Sequence, residues 1–287
     1  EKAIELDPHF AEAWFYKGFD LGKLGRYEEA IEAYENVIEI NPQDAIAWVN
    51  KGVEIGKLGR HEDALKAYEK AIELNPQFAE AWFSKGFELG ELGRHEEAIK
   101  AYEKAIEINP QYAEACSNKG VALSELGRYG EAIEAHKKAM EIKPQFALAY
   151  ANLGELFFKL GNLKKTSENV KNALKKERNL VPALSLQGRI KIEEKDYDAA
   201  SESFKKAMAL DIGNPIHFLW DTYANYLKAK SSSNSKDRKY QEEDNTIIRN
   251  LEKMNETLSE KQDQGKEIKA YVLYFLGHFY LKSNDIF

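Results

Sequence analysis

The chain has 287 residues, 43% hydrophobic, 11% aromatic and 31% charged, which is enough apolar material for a core and too much for a disordered tail. Its formal net charge of −7 and single cysteine, Cys116, speak against a general nucleic-acid binder and rule out an internal disulfide or a cysteine-based zinc site. The longest nearly apolar run, 270–281, is too short for a membrane span, which needs about 20 residues.

Two ordinary domains would suit the length, but the prolines argue otherwise. They stand at 8, 42, 76, 110, 144, 182 and 215, and the first five are 34 apart. A fixed period of this size marks a repeat architecture. At that period Trp14, Trp48 and Trp82 share a column, continued by Cys116 and Tyr150. Gly18, Gly52, Gly86, Gly120, Gly154 and Gly188 form a second column, and Ala30, Ala64, Ala98 and Ala132 a third.

Each unit reads as two helices. The first is expected from about Ala11 to Leu24, with Trp14, Gly18 and Leu21 on one face. Gly25 can take the left-handed conformation that closes it. The second is expected from near Tyr27, carrying Ala30, Ile31, Tyr34, Val37 and Ile38 inward, and Asn41-Pro42 stops it. Glycine and alanine in these columns let the paired helices approach closely.

These residues resemble the tetratricopeptide repeat (TPR) family, most closely at Trp82, Gly86, Leu89, Ala98, Tyr102, Ala105 and Pro110. Lys17, Lys51, Lys85 and Lys119 stand where the family has leucine. The resemblance implies an all-α fold, a right-handed α-α superhelix (solenoid) of helical hairpins. Six units are expected at 11–44, 45–78, 79–112, 113–146, 147–180 and 181–214. A divergent seventh, 215–265, would carry about 19 inserted residues, including a serine-rich loop and an amphipathic helix through Ile247, Leu251, Met254 and Leu258. Residues 1–10 read as the end of a cut unit and 266–287 as the first helix of an eighth. The expectation is a fragment of a longer TPR protein.

No catalytic constellation emerges, and no cofactor or metal is expected. His61-Glu62 and His95-Glu96 begin like a zinc-protease signature, but the fifth residues are Leu65 and Ile99. His136 and Cys116 fall in core columns, so Cys116 reads as an inert buried thiol. The first residues of the second helices, such as Glu28-Glu29, suit the helix dipole.

The family resemblance implies a concave groove lined by the first helices. The peptide-binding residues it selects are Phe15, Tyr16, Phe19, Val49, Asn50, Val53, Phe83, Ser84, Phe87, Asn118 and Asn152. Aromatics there suggest apolar pockets, and an asparagine amide can pair with the backbone of any extended peptide. Gly22, Gly56 and Gly90 would leave an open floor. The same residues would equally serve as packing between neighbouring units. A chaperone-tail clamp is disfavoured, since only Asn50 fits its pattern. Charge is uneven: 1–146 is acidic and 147–287 mildly basic. Lys164, Lys165, Lys171, Lys175, Lys176 and Arg178 make a patch that reads as a solvated face or a seat for an acidic partner.

The expected function is a non-catalytic protein–protein interaction scaffold that holds an extended peptide in its groove. The alternative is the substrate-docking region of a larger enzyme whose catalytic domain lies elsewhere. The partner is expected to be a protein or peptide, end-to-end self-association is possible, and a cytoplasmic location is expected, with the true termini lying outside this sequence.

Overall fold

Small residues at fixed positions let two helices touch, and the rest of each hairpin follows. The computed structural model describes residues 2–232, and every regular element among them is an α-helix. In chain order these are α1 (Lys2–Leu6), α2 (Ala11–Lys23), α3 (Tyr27–Ile40), α4 (Ala45–Lys57), α5 (His61–Leu74), α6 (Ala79–Glu91) and α7 (His95–Ile108). They continue with α8 (Ala113–Glu125), α9 (Tyr129–Ile142), α10 (Ala147–Lys159), α11 (Leu163–Lys176), α12 (Val181–Glu193), α13 (Tyr197–Leu210) and α14 (Pro215–Ser232). The expected amphipathic helix through Ile247 and the final first helix in 266–287 lie outside the described residues, as does nearly all of the expected serine-rich loop. The described residues divide after Asn152 into two compact units.

In the first unit, α2–α3, α4–α5, α6–α7 and α8–α9 are hairpins. A Cβ at Gly52 would lie 2.7 Å from the Tyr68 ring, and one at Gly86 2.7 Å from Tyr102. Only glycine allows an aromatic ring to lie flat on the first helix at that distance. Ala30, Ala64, Ala98 and Ala132 are fully buried on the facing helix. The turn is closed as the sequence suggests: Gly25, Gly59, Gly93 and Gly127 have φ between 71° and 74°. The Arg26 N–H reaches back to the Leu21 carbonyl at 3.0 Å, satisfying an end-of-helix acceptor.

Successive hairpins stack through α3 on α4, α5 on α6 and α7 on α8. At one such junction Ile31, Val49, Ile55, Tyr68 and Ala81 form a continuous buried cluster. Burying a large side chain of this kind contributes about 1.5–3 kcal/mol.

The lysine column that departs from the family pattern has a structural partner. Lys51 pairs with Glu35 at 2.8 Å, Lys85 with Glu69 at 2.8 Å and Lys119 with Glu103 at 2.7 Å, each joining one hairpin to the preceding one. Lys51 and Lys85 also lie over Trp48 and Trp82, 5.4 and 5.9 Å from the ring centres. The indole N–H of Trp14 donates to the Pro8 carbonyl at 2.9 Å, and that of Trp82 to Pro76 at 3.0 Å. Trp48 Nε1 is buried without such a partner.

In the second unit, α11 packs on α12, α12 on α13 and α13 on α14. Its hairpins use different devices. Asn162 and Asp196 replace the arginines that precede α3, α5, α7 and α9, and each caps its helix by accepting from Lys165 N and Ala199 N. Lys195 occupies the glycine column with φ 61°, the one non-glycine residue in this region among those described. Pro182 and Pro215 lie in the first turns of α12 and α14, where a missing N–H costs nothing. Phe204 replaces tyrosine, lies against Gly188 and stacks on Trp220 with ring centres 6.0 Å apart.

Candidate functional site

All eleven selected residues lie in the first unit, on its first helices α2, α4, α6, α8 and α10. Their column positions recur every 34 residues, so equivalent side chains leave successive helices in the same direction. The structure divides them into three groups.

Tyr16, Phe19 and Phe87 are open to solvent, with 57%, 43% and 46% of their surface exposed. Val121, in the column of Phe19 and Phe87, is 40% exposed and continues the stripe. Lys23 Nζ sits 4.0 Å from the centre of the Phe19 ring. Solvent-facing aromatics in a repeating column are the clearest apolar feature of this face.

Phe15, Phe83 and Val53 are half-buried and already engaged in packing. Phe15 meets Tyr34 edge-on at 5.6 Å, and Phe83 lies 4.9 Å from Tyr112 and 5.9 Å from Tyr102. Val53 packs on the cluster between the first and third hairpins. Val49 corrects the expectation outright. At 2% exposure it belongs to that buried cluster and offers nothing to a ligand.

The polar residues are partly committed to internal bonds. Asn50 Nδ2 donates to the Ile46 carbonyl at 2.9 Å, within its own helix. Asn118 shares a hydrogen bond with the Tyr102 hydroxyl, and Ser84 with that of Tyr68. Asn152 Nδ2 donates to Ser117 Oγ at 3.3 Å, and that oxygen lies 3.4 Å from His136 Nδ1. An amide has two donors and two acceptor sites, so each asparagine keeps capacity for a partner.

The open floor at the glycines is also corrected. A Cβ at Gly22 would meet the Glu54 carboxylate at 2.6 Å, and one at Gly56 the Glu88 carboxylate at 2.3 Å. Only Gly90 has nothing within 4 Å. Glu54 and Glu88, 6% and 4% exposed, are buried acids that the sequence reading missed. Glu54 is held by Lys57 Nζ at 3.0 Å from each oxygen. Glu88 lies 2.6 Å from His61 Nδ1, while burial pushes its carboxyl above the usual range. The signal was present: an acid stands 32 residues after Gly22 and after Gly56, whereas Ala122 stands 32 after Gly90. His95, the counterpart of His61, accordingly has a buried Nδ1 with no partner.

Titration elsewhere agrees with a packed interior. Burial pushes the Cys116 thiol up, and pushes His136 down to about 4. The Tyr34 hydroxyl rises to about 12 for the same reason. None of these groups is set up as a nucleophile or proton shuttle. Among the described residues no three His, Cys, Asp or Glu side chains gather as metal ligands. No described helix is long and apolar enough to cross a membrane.

Sequence patterns described as "Tetratricopeptide repeat" match residues 11–44, 45–78 and 79–112, and related repeat patterns of that family match 101–134, 122–161 and 181–211. The crystal structure of MamA protein is 28% identical and superposes with a TM-score of 0.50, covering 59% of this chain and 92% of its own. A tetratricopeptide repeat protein from Parabacteroides merdae superposes with a TM-score of 0.69 at 18% identity, covering 78% of this chain and 89% of its own. That likeness concerns the fold. An uncharacterized protein of Methanocaldococcus jannaschii is 58% identical over 33 residues, a match spanning 12% of this chain and 38% of that protein.

Proposed function

We propose, from the fact that the chain belongs to the tetratricopeptide repeat family, that its first unit is a protein-interaction scaffold that holds an extended peptide along the first helices. The observation that carries this reading is the exposed stripe of Tyr16, Phe19, Phe87 and Val121 on a face otherwise built of packed side chains. Exposed rings cost the free protein solvation, and an apolar partner side chain recovers it. Phe15 meets the exposed Tyr16 ring edge-on at 6.1 Å. Asn50, Asn118 and Asn152, each with one bond already made, are held in fixed orientations and retain the means to pair with a peptide backbone. The residues support holding and orienting, with no group placed for bond making or breaking.

A peptide array probed with the 287-residue chain tests this. Phe19→Ala together with Phe87→Ala is expected to weaken the strongest array signals at least tenfold, as loss of central aromatic anchors does. Asn118→Ala with Asn152→Ala is expected to weaken all bound sequences to a similar degree, because backbone pairing ignores side-chain identity. Unchanged signals in both double variants would show that peptides bind elsewhere.

A further inference from the structure

One column of the first unit holds the same glycine in two surroundings. A Cβ at Gly22 would meet the Glu54 carboxylate at 2.6 Å, and one at Gly56 the Glu88 carboxylate at 2.3 Å. At Gly90 the covering column carries Ala122 in place of the acid, and nothing lies within 4 Å of a Cβ. The partner of the acid is retained. His61 and His95 each begin the second helix of their hairpin, α5 and α7. His61 Nδ1–H donates to Glu88 Oε2 at 2.6 Å, whereas His95 Nδ1 is buried with no partner. A buried ring nitrogen left unpaired carries a desolvation cost that an acceptor removes.

The second hairpin shows which chemistry fits. A single carboxylate there covers Gly56 and accepts from His61 at once. In repeat register Gly90 and His95 are the same two surfaces, one helix further along. Neighbouring acids do not exclude an anion. Glu91 stands three residues after Glu88, as Glu125 does after Ala122, and Glu88 is seated on His61 all the same. Gly90 and His95 are each half-buried, so the position is open to solvent and the imidazole has room to turn toward an incoming acceptor. Phe87 lies one turn before Gly90 on α6, and Val121 lies next to Ala122 on α8; both are exposed members of the apolar stripe. A peptide lying on that stripe runs beside Gly90.

We propose that Gly90 and His95 form the specificity site of the peptide stripe and take the side-chain carboxylate of one glutamate or aspartate in the bound peptide. The inference rests on the stripe reading above and adds a sequence preference to it. The carboxylate lies over Gly90 and accepts from His95 Nδ1–H, as Glu88 lies over Gly56 and accepts from His61. Apolar side chains on either side of the acid meet Phe87 and Val121. The partner supplies in trans what Glu88 supplies within the chain.

The test is fluorescence anisotropy with the full chain and two fluorescein-labelled, C-terminally amidated peptide pools. One pool has glutamate and the other glutamine at the centre, with apolar and uncharged residues elsewhere. The glutamate pool is expected to bind about tenfold more tightly, the worth of one charge-assisted hydrogen bond. Ala122→Glu, which supplies the carboxylate from within, and His95→Leu are each expected to bring the pools to equal affinity and leave the glutamine pool unchanged. Phe19→Ala with Phe87→Ala is expected to weaken both pools together. Equal affinity of the pools for the original chain overturns the proposal, and the stripe stands if the phenylalanine variant still weakens both. A glutamate preference that survives in a folded Ala122→Glu or His95→Leu chain also overturns it. So does a glutamine pool with a free C-terminal carboxylate that binds as tightly as the glutamate pool, since a chain end would then be the ligand. If neither pool binds, the stripe reading fails and the specificity site with it. Should Ala122→Glu fail to fold by circular dichroism, His95→Leu decides alone.

Discussion

The third hairpin, α6–α7, and the fourth, α8–α9, share a frame and differ in what fills it. Both close on a left-handed glycine, Gly93 and Gly127, with φ 71° and 74°. Both start the second helix with an arginine–glutamate pair, Arg94–Glu97 and Arg128–Glu131. Both reach back to the preceding hairpin through a lysine, Lys85–Glu69 and Lys119–Glu103. Inside, however, Trp82, Phe83, Glu88, Gly90 and Tyr102 of the third become Cys116, Ser117, Ala122, Ser124 and His136 of the fourth. Turn chemistry and small residues therefore set the hairpin, while the interior columns are free to change and carry the titratable behaviour.

The largest expected effect lies in the fourth hairpin. His136 is 1% exposed and burial lowers it from 6.5 to about 4. Between those values the unfolded chain binds a proton that the folded chain refuses, so stability rises with pH across that window and is lost on acidification. The shift corresponds to roughly 3 kcal/mol. His136→Tyr, which restores the residue of the third hairpin, should remove this component. Urea midpoints at pH 7 and pH 4 measure it, and an equal acid loss in the variant would place the sensitivity elsewhere.

Next in size is what each hairpin presents to the glycine before it. Gly56→Ala would drive a Cβ into the Glu88 carboxylate that His61 holds, and should destabilise by about 2 kcal/mol. Gly90→Ala meets nothing within 4 Å, so the same change should stabilise by about 1 kcal/mol through helix propensity alone. Opposite signs in thermal melts of the two variants confirm that the carboxylate makes the difference. Equal signs would break the comparison.

The smallest effect tests the shared frame. Double-mutant cycles on Lys85–Glu69 and Lys119–Glu103, separated by 2.8 and 2.7 Å, should give the same coupling of about 0.5 kcal/mol, falling with salt. A clear inequality would mean that the interior residues reach the frame after all.

Much of this was legible in advance because a repeat shows each rule several times. The helix bounds at Ala11 and Tyr27, the left-handed Gly25 and the buried Ala30 column all follow from local sterics repeated in register. Val49 was not legible: it shares a column with Phe15 and Phe83, and only its place in the buried cluster between hairpins puts it inside. Glu54 and Glu88 were hidden for a related reason. An acid in a helix of a charged chain reads as a solvated residue until the glycine it covers, 32 residues earlier, is brought against it.

Sequence alone determined the helical hairpin, its length, its turn and its family, because these depend on the residues of one repeat and their immediate neighbours. It also separated the acidic first part from the basic stripe on α11. Tertiary structure decided which members of a column face solvent and which face the next hairpin. It paired Lys85 with Glu69, closed Gly56 beneath Glu88 and left the buried His95 Nδ1 without a partner. Those outcomes depend on side chains a full repeat apart, where a change in volume or charge on one helix is felt only by the helix stacked against it.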